Sequence, residues 1–344
     1  MNVLIVGDVH WSEYSSIVRT NGEQFSHRLE NLISSVNWAE EYSKSVKCEY
    51  VIYLGDFFDK SEINSEEISA LNEIKWDSCA KHIFLCGNHE MGDKFHHSSS
   101  LKLFSLVPNC RVIDKPTYFI NKGENTGFVF LPYMLEENRI SIDDFLIGVD
   151  TTRKIYIFSH NDLQIQYGQY KSVNGYTIEE IERNCKYCFN GHLHNRSHVS
   201  WKVENVGNLT GQNFSEDALI YKHGVVLYDT INDTEKFIEN PYAFNFYKLS
   251  EDHVLGDICL SSIGSNAIVS MTCKEENYDR IKDWLNKNAM LYRIQVTRDT
   301  SSVKNHDSEK IINVDHIAKF NDYVLNDIGN DELTRSELEK ISWI

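Results

Sequence analysis

Short apolar runs alternate with amphipathic segments in the first third of the chain. The runs at 2–6, 50–54 and 83–86 have the length and composition of buried strands. Between them, apolar residues recur with helical spacing from 25 to 46, and a second helix is predicted from Ser65 to about Lys81. This strand–helix–strand–helix–strand order is typical of an α/β fold with a largely parallel sheet.

The pattern changes after about residue 106 to short strands separated by loops. Strands are predicted near 111–120, at 127–131 and at 154–158. Two further apolar segments, 199–203 and 224–228, are expected to complete the core as a second sheet layer. The boundary of this first domain is then expected near 232–250.

The last third of the chain contains one β-α-β pattern. It comprises a strand at 267–273, a helix at 275–287 and a strand at 291–296, and it is too small to be a full domain. Residues 299–310 are polar and charged, as expected of a linker. Two short helical patterns follow, and their apolar faces pack either on this chain's own body or on a partner.

Five of the apolar runs end in residues that can bind a metal ion. These are Asp8 and His10, Asp56, Asn88 and His89, His160, and finally His192 and His194. Functional groups of a parallel sheet collect at the C-terminal ends of its strands, so we expect these side chains to converge. A single such residue is more often a cap or a turn residue, but five endings in order favour a shared metal centre.

The types of ligand narrow the chemistry of that centre. Carboxylate, amide oxygen and imidazole together suit manganese, iron or zinc, and the set is too large for one tetrahedral ion. A carboxylate between two groups of ligands can bridge two ions, an arrangement that activates water and stabilises displacement at phosphorus.

Charge and cysteine content limit the partners and the compartment. The net charge of -17 over 344 residues weighs against a broad basic face that grips nucleic acid unaided, although a local basic rim or a partner can supply one. No apolar stretch approaches the roughly 18 residues of a membrane span, and no basic leader precedes the first strand, so we expect no membrane segment and no secretory signal.

The eight cysteines lie mostly in apolar runs, which suits a reducing cytoplasm. The Cys185/Cys188 pair can begin a zinc or redox site, but no second pair completes it, and buried thiols are favoured.

The motifs D-x-H, G-D-x-x-D, G-N-H-E, H and G-H-x-H, in this order over about residues 1–230, resemble those of the calcineurin-like metallophosphoesterases. The layout is most similar to the Mre11/SbcD nuclease family, and the segments 112–117 and 132–138 resemble its T4-like phage branch. The resemblance implies a four-layer α-β-β-α sandwich with a small α/β capping domain and C-terminal helices. The implied divisions are a nuclease domain at 1–232, a capping domain at 233–298, a linker at 299–312 and a helical partner-binding segment at 313–344.

The resemblance also implies a role for each motif residue. Asp8, His10 and His194 would hold one Mn²⁺, Asn88, His160 and His192 a second, and Asp56 would bridge them, with Mg²⁺, Fe²⁺ or Zn²⁺ as alternatives. His89 would remain off the metals and stabilise the phosphate or protonate the leaving oxygen, and Glu90 is expected to accept a hydrogen bond from His89 and orient it. Asp59 stands where many relatives have a histidine that contacts DNA, so a carboxylate there is expected to repel phosphate or hold a basic neighbour.

The implied activity is that of a metal-dependent DNA exonuclease or endonuclease in recombination and double-strand-break repair. Its implied partners are DNA and a Rad50/SbcC-type ATPase, on whose coiled-coil base the C-terminal helices would dock, and a homodimer is compatible. The expected compartment is the cytoplasm, that of the host if the chain is phage-encoded. The alternative is a metallophosphatase or cyclic-nucleotide phosphodiesterase acting on a small molecule or phosphoprotein, because the same metal core hydrolyses monoesters. A non-enzymatic adaptor is least favoured, since every inferred ligand position is filled.

Overall fold

The structure is a computed structural model, and it describes residues 1–121, 125–150, 152–167, 170–256, 260 and 263–297. The predicted linker at 299–312 and the predicted helices at 313–344 lie outside the described residues. Within the described ranges, no helix has the length and apolar character that a membrane crossing requires.

Strands and α-helices alternate up to residue 85, and strands predominate in the rest of the described chain. The strands are β1 Asn2–Val6, β2 Tyr50–Tyr53, β3 Lys81–Leu85, β4 Cys110–Ile113, β5 Thr117–Asn121, β6 Thr126–Leu131, β7 Lys154–Ser159, β8 Gln166–Tyr167, β9 Tyr170–Lys171, β10 Tyr187–Asn190, β11 Ser197–His198, β12 Val203–Asn205, β13 Gly224–Asp229, β14 Thr234–Glu239, β15 Asn245–Ser250, β16 Ala267–Lys274 and β17 Leu291–Thr297. The α-helices are α1 His27–Val46, α2 Ser65–Leu71, α3 Ile142–Phe145, α4 Ile178–Asn184, α5 Asp252–Leu255 and α6 Tyr278–Asn288. Short 3₁₀ helices cover Ser100–Leu106, Glu136–Asn138 and Glu275–Asn277.

Two sheets pack face to face around the centre of the fold. The first has the order β14-β13-β1-β2-β3-β4, with β1 to β4 parallel, and the second has the order β11-β12-β10-β7-β6-β5, with β6, β7, β10 and β12 parallel. Their inner faces share one apolar core, to which the first sheet gives Ile5 and Ile52 and the second gives Phe130, Phe158 and Phe189. The parallel strands of each sheet therefore end at a common edge.

Helices cover the two outer faces and complete a four-layer α-β-β-α sandwich, as predicted. Helix α1 begins where Ser26 accepts a hydrogen bond from the amide of Leu29, and it ends at Val46, before the C-capping Lys47, whose φ is 56°. It buries Leu32 and Val36 against the first sheet, while α3 and α4 pack with the outer face of the second sheet.

Three predicted elements differ from the structure. Helix α2 ends at Leu71 and not near Lys81, because side chains of α1 satisfy the backbone donors that follow: Asn37 accepts from the amide of Lys75 and Glu40 from that of Asp77. The segment 199–203 is mostly a turn between β11 and β12. Strand β13, predicted to join a second layer, pairs with β1 and extends the first sheet.

The predicted β-α-β unit is present after the sandwich. Strands β15, β16 and β17 form a separate parallel sheet, and α6 packs Ile281 and Leu285 on it. Its function as a capping domain remains a prediction.

Candidate metal centre

The ends of the parallel strands bring the predicted metal ligands together, and backbone hydrogen bonds fix them. After β1, the amides of Val9 and His10 both donate to the carbonyl oxygen of Asp56, at 3.1 and 2.8 Å, which ties the first motif to the second. The amide of His192 donates to Asp8 Oδ1 at 3.0 Å, which ties the last motif to the first. The amide of His89 donates to Asp56 Oδ1 at 2.9 Å. Motifs far apart in sequence thus form one cluster.

Asp8, His10 and His194 form the first group of candidate ligands. Asp8 Oδ2 lies 3.9 Å from His10 Nε2, and the rings of His10 and His194 are 5.0 Å apart between centroids. Asp8 Oδ2 and His10 Nε2 are both buried, and neither has a hydrogen-bond partner among the described residues. A buried carboxylate oxygen and an imidazole nitrogen left unpaired in this way are costly unless a cation lies between them.

Asp56, Asn88, His160 and His192 form the second group. His160 Nε2 lies 3.1 Å from Asp56 Oδ2 and 3.2 Å from Asn88 Oδ1, and His192 Nδ1 lies 2.9 Å from the same amide oxygen. His160 Nδ1 donates to the carbonyl of Leu54 at 2.7 Å, so the lone pair of a neutral His160 faces the carboxylate and the amide oxygen. Three acceptors that face one another in a buried site fit a divalent cation.

Electrostatics in the second group favour positive charge. Burial alone would lower the pKa of His160, but the carboxylates of Asp56 and Asp8 outweigh it and raise that pKa to about 10. Burial would likewise raise the pKa of Asp56, yet His160, His10 and His89 together lower it. The Asp56 carboxylate therefore retains its charge and attracts cations.

Three of the predicted ligands have left-handed backbone conformations. The φ angles are 51° at His10, 47° at Asp56 and 73° at His192. Non-glycine residues seldom adopt φ > 0, and those that do concentrate at functional sites, where the turn re-aims a side chain. Here each turn follows a strand end and points a ligand sideways, toward the shared centre.

Glycine is required before the ligands because the chain passes very close to them. A Cβ added to Gly87 would lie 2.1 Å from Asp56 Oδ1 and 2.4 Å from the backbone nitrogen of Asp56. At Gly55, whose φ is 105°, an added Cβ would lie 2.3 Å from His160 Nδ1. The G-D and G-N pairs are thus steric requirements of the site.

His89 lies at the solvent edge of the cluster. Its side chain is 38% exposed, its ring stacks edge-on against His10 at 4.6 Å, and its Nδ1 lies 2.9 Å from the carbonyl oxygen of Asp59 and 3.5 Å from Asp59 Oδ1. Hydrogen bonding to the Asp59 side chain, partly opposed by burial, raises the pKa of His89 to about 9. A protonated imidazole, with Nε2 left for other partners, therefore borders the two groups.

Glu90 differs from its expected role as the residue that orients His89. It is fully buried, and its carboxylate accepts backbone N–H groups from Gly87 at 2.7 Å, Phe58 at 2.9 Å and Asp56 at 3.1 Å. Burial and the Asp56 charge raise the pKa of Glu90 to about 8, which two of these donors oppose. Asp59, and not Glu90, contacts the imidazole of His89, so Glu90 anchors two loops of the centre.

Sequence reasoning also missed contacts that the fold creates around the ligands. His10 Nδ1 lies 3.0 Å from Asp59 Oδ1, His192 Nε2 3.1 Å from Asp162 Oδ1, and His194 Nδ1 3.1 Å from Glu216 Oε1. Asp162 follows β7 in the same segment as His160, which is a usable signal, and Asp59 is the carboxylate expected to repel phosphate or hold a basic neighbour. Glu216 belongs to no motif.

A cavity of about 180 Å³ opens beside His10 and Asp59. Its lining includes Arg28, which is 4% exposed and donates to the carbonyls of Gly211 and Val9. Burial lowers the pKa of Arg28 to about 10, which still leaves it charged at neutral pH. The cavity thus places a fixed positive charge near the first group of ligands.

Comparison with known proteins gives matches at the levels of family, sequence and structure. Residues 1–196 match the calcineurin-like phosphoesterase family. The chain is 24% identical over 322 residues to exonuclease subunit 1 of Enterobacteria phage T4, a match that covers 90% of this chain and 88% of that protein.

Among solved structures, the chain is similar to an archaeal phosphodiesterase and to a dimetal phosphatase from Danio rerio. The first is 14% identical, with 70% of this chain and 99% of the other covered and a TM-score of 0.37. The second is also 14% identical, with 66% and 91% covered and a TM-score of 0.40.

Proposed function

The chain belongs to the calcineurin-like phosphoesterase family, and from this premise we propose that it is a two-metal DNA nuclease of the Mre11/SbcD type. Membership of this family indicates that the protein is a metal-dependent phosphoester hydrolase, but it does not identify the substrate. The observation that favours DNA is the match to the phage exonuclease subunit, which spans 90% of this chain and so extends well beyond residue 196. A shared phosphoesterase domain alone would not require that extension.

In this proposal, the two groups of side chains hold two divalent cations. Asp8, His10 and His194 would hold one ion, Asn88, His160 and His192 would hold the other, and Asp56 would serve both. When bound, such ions lower the pKa of water and stabilise the charge that develops on phosphate oxygens. Mn²⁺ is the ion we propose, with Mg²⁺, Fe²⁺ or Zn²⁺ as alternatives, because oxygen and imidazole ligands suit it and the resemblance to the Mre11/SbcD family implies it.

The protein's own contribution at the substrate side is His89. The carbonyl of Asp59 takes its Nδ1–H, so Nε2–H of the protonated ring is left to donate to a phosphate oxygen or to the departing oxygen. The exposure of His89 at the edge of the cluster supports this position, whereas the imidazoles of His10 and His160 are buried.

We extend the proposal to the partner and to the domains. The net charge of -17 fits a division of labour in which another protein supplies much of the binding to DNA phosphates, and the phage relative is named as a subunit. The partner in this proposal is a Rad50/SbcC-type ATPase, which docks on residues 313–344. The segment 233–298 presents DNA to the metal centre. The setting is DNA recombination and double-strand-break repair in the cytoplasm.

The experiment compares three substrates under one set of conditions. Purified protein with Mn²⁺ is incubated with linear duplex DNA, with p-nitrophenyl phosphate and with a cyclic nucleotide, and each reaction is repeated with EDTA. We expect metal-dependent cleavage of DNA, weak without the ATPase, and little turnover of the other two. An Asp8→Asn variant purified in the same way controls for contaminating nucleases. Turnover of the monoester or the cyclic nucleotide without DNA cleavage would favour a phosphatase or phosphodiesterase instead.

A further inference from the structure

Each imidazole predicted to bind a metal uses one ring nitrogen toward the centre and the other toward a partner outside it. For His160 that partner is the carbonyl of Leu54, and for the other three it is a carboxylate outside the predicted ligand set. We propose that Asp59, Asp162 and Glu216 are positioning residues that fix the tautomers of His10, His192 and His194 and set the affinity of each metal site separately. This inference rests on the proposed two-metal function.

Glu216 is the most constrained of the three carboxylates. Its side chain is fully buried, and Oε1 lies 3.1 Å from His194 Nδ1 and 3.3 Å from the side-chain amide of Asn213. Oε2 accepts the backbone N–H of Gln212 at 2.9 Å. Both oxygens are thus fixed, and since a carboxylate only accepts, His194 must carry its proton on Nδ1 and leave Nε2 for the centre.

Asp162 selects the opposite tautomer for the neighbouring histidine. Its Oδ1 lies 3.1 Å from Nε2 of His192, while Nδ1 of the same ring faces Asn88 Oδ1 at 2.9 Å. His192 and His194 are one residue apart, yet they turn different nitrogens toward the centre. The carboxylates of Asp162 and Glu216 distinguish the two histidines, because each fixes which ring nitrogen of its partner is protonated.

Asp59 serves the first metal site and the substrate side together. Its Oδ1 lies 3.0 Å from His10 Nδ1, which leaves the buried Nε2 of His10 for the centre, and 3.5 Å from His89 Nδ1. The carboxylate therefore links a predicted ligand to the proposed substrate-facing group. This is a role for the aspartate that stands where relatives have a histidine.

The three contacts divide between the two sites. Glu216 and Asp59 support the group Asp8, His10 and His194, whereas Asp162 supports the group that contains Asn88 and His192. Loss of such an outer partner typically weakens metal binding about 10–100-fold. Removing one carboxylate is therefore expected to weaken one binding event and to spare the other.

If these carboxylates acted on metal binding only through the stability of the fold, replacing a comparable carboxylate elsewhere would have the same effect. The chain offers matched controls for this alternative. Glu40 and His82 form a buried carboxylate–imidazole pair, with Oε2 2.8 Å from Nε2, that contacts none of the predicted ligands in the described part of the chain. Asp233 is 26% exposed, similar to Asp162 at 30%, and pairs with Lys154. Glu40→Gln therefore controls for Glu216→Gln, and Asp233→Asn for Asp162→Asn.

The test is calorimetric titration of Mn²⁺ into the metal-free full-length protein and its four variants, with circular dichroism to verify folding. We expect two binding events in the wild type. Glu216→Gln should weaken one of them and Asp162→Asn the other, each by about tenfold or more, while both control variants retain two wild-type affinities. Histidine-selective ¹⁵N NMR of the metal-free protein gives a readout of tautomers, and Asp162→Asn should change that of His192 alone.

The outcomes separate this inference from the function on which it rests. A wild-type protein that fails to bind two ions refutes the proposed function. Two wild-type events with unchanged affinities in Glu216→Gln and Asp162→Asn refute only the inference, as does equal weakening of both events in either variant. Weakened binding in Glu40→Gln would also overturn it, by attributing the effect to general destabilisation. Should Glu216→Gln fail to fold, an unchanged affinity in the partly exposed Asp162→Asn variant is sufficient to reject the inference.

Discussion

Replacing Gly87 with alanine adds one methyl group at the tightest point of the candidate metal centre. The added Cβ would lie 2.1 Å from Asp56 Oδ1 and 2.4 Å from the Asp56 backbone nitrogen, whereas ordinary contacts of a Cβ are 3.4–4 Å. The side chain and the backbone of Asp56 must then both move, by about an ångström or more, because neither atom is the end of a long flexible chain.

That movement breaks two hydrogen bonds of Asp56, and their loss determines how far the free energy of unfolding falls. Asp56 Oδ1 accepts the amide of His89 at 2.9 Å, and the Asp56 amide donates to Glu90 at 3.1 Å. Overpacking costs about 1–3 kcal/mol, and each buried hydrogen bond lost leaves a group that costs about 1–3 kcal/mol. We therefore expect the free energy of unfolding to fall by about 3 kcal/mol or more and the binding of at least one metal ion to be lost.

The assays are urea unfolding of the metal-free protein and calorimetric titration with Mn²⁺. Gly264→Ala is the matched control, because a Cβ there meets nothing within 4 Å and its φ is not in the left-handed range. It should keep wild-type stability and both metal ions. A Gly87→Ala protein with the unfolding midpoint and the two metal affinities of the wild type would show that the steric argument is wrong.

Two further substitutions separate the chemistry of the centre from its support. His89→Gln is expected to bind two Mn²⁺ ions while its DNA cleavage rate falls by about 10²–10⁴-fold, the usual contribution of a positioned acid or base; a wild-type rate would exclude the role assigned to His89. Glu90→Gln should lower the free energy of unfolding by about 1–3 kcal/mol, because its amide NH₂ must face at least one of the three N–H donors of Gly87, Phe58 and Asp56. The exposed Glu73→Gln is its control in urea unfolding, and equal midpoints for the two variants would contradict the anchoring role.

The convergence of the ligand motifs was accessible from the sequence because it follows from a rule of topology. Parallel strands that end in polar residues deliver them to one edge, and the apolar runs before Asp8, Asp56 and Asn88 identify such strands. The position of β13 was not accessible in the same way. Its apolar alternation suits either sheet, and pairing with β1 depends on packing between residues more than two hundred positions apart.

The end of α2 shows how a local pattern is overruled by a distant side chain. Ile74 and Trp76 keep apolar spacing beyond Leu71, and both pack on the core of the first sheet without being helical. Asn37 and Glu40 of α1 accept the backbone donors that a longer helix would have satisfied itself. The hydrophobic pattern reports burial correctly, but it does not reveal where the N–H groups find acceptors.

The errors at the site have the same origin. The family resemblance implied that Glu90 accepts a hydrogen bond from His89, but the turn there sends His89 toward solvent and Glu90 inward to three backbone amides. Glu216 contacts His194 from a loop 22 residues away and carries no motif. Direct ligands follow from strand endings, whereas the groups that orient them depend on loop conformations, which no short pattern specifies.

The backbone of the centre indicates that the fold itself pre-forms the site. Left-handed φ angles at His10, Asp56 and His192 cost about 1–3 kcal/mol each where the residue is strained, although Asp and His tolerate this conformation better than most residues. The cost is offset by fixed protein contacts: the Asp56 carbonyl accepts two amides of the first motif, and Asp8 Oδ1 accepts the amide of His192. Because these bonds involve no metal ion, the ligands are held in place before a cation binds. The carboxylates of Asp59, Asp162 and Glu216 each contact one predicted ligand imidazole, so they are the positions at which the two sites can be tuned separately.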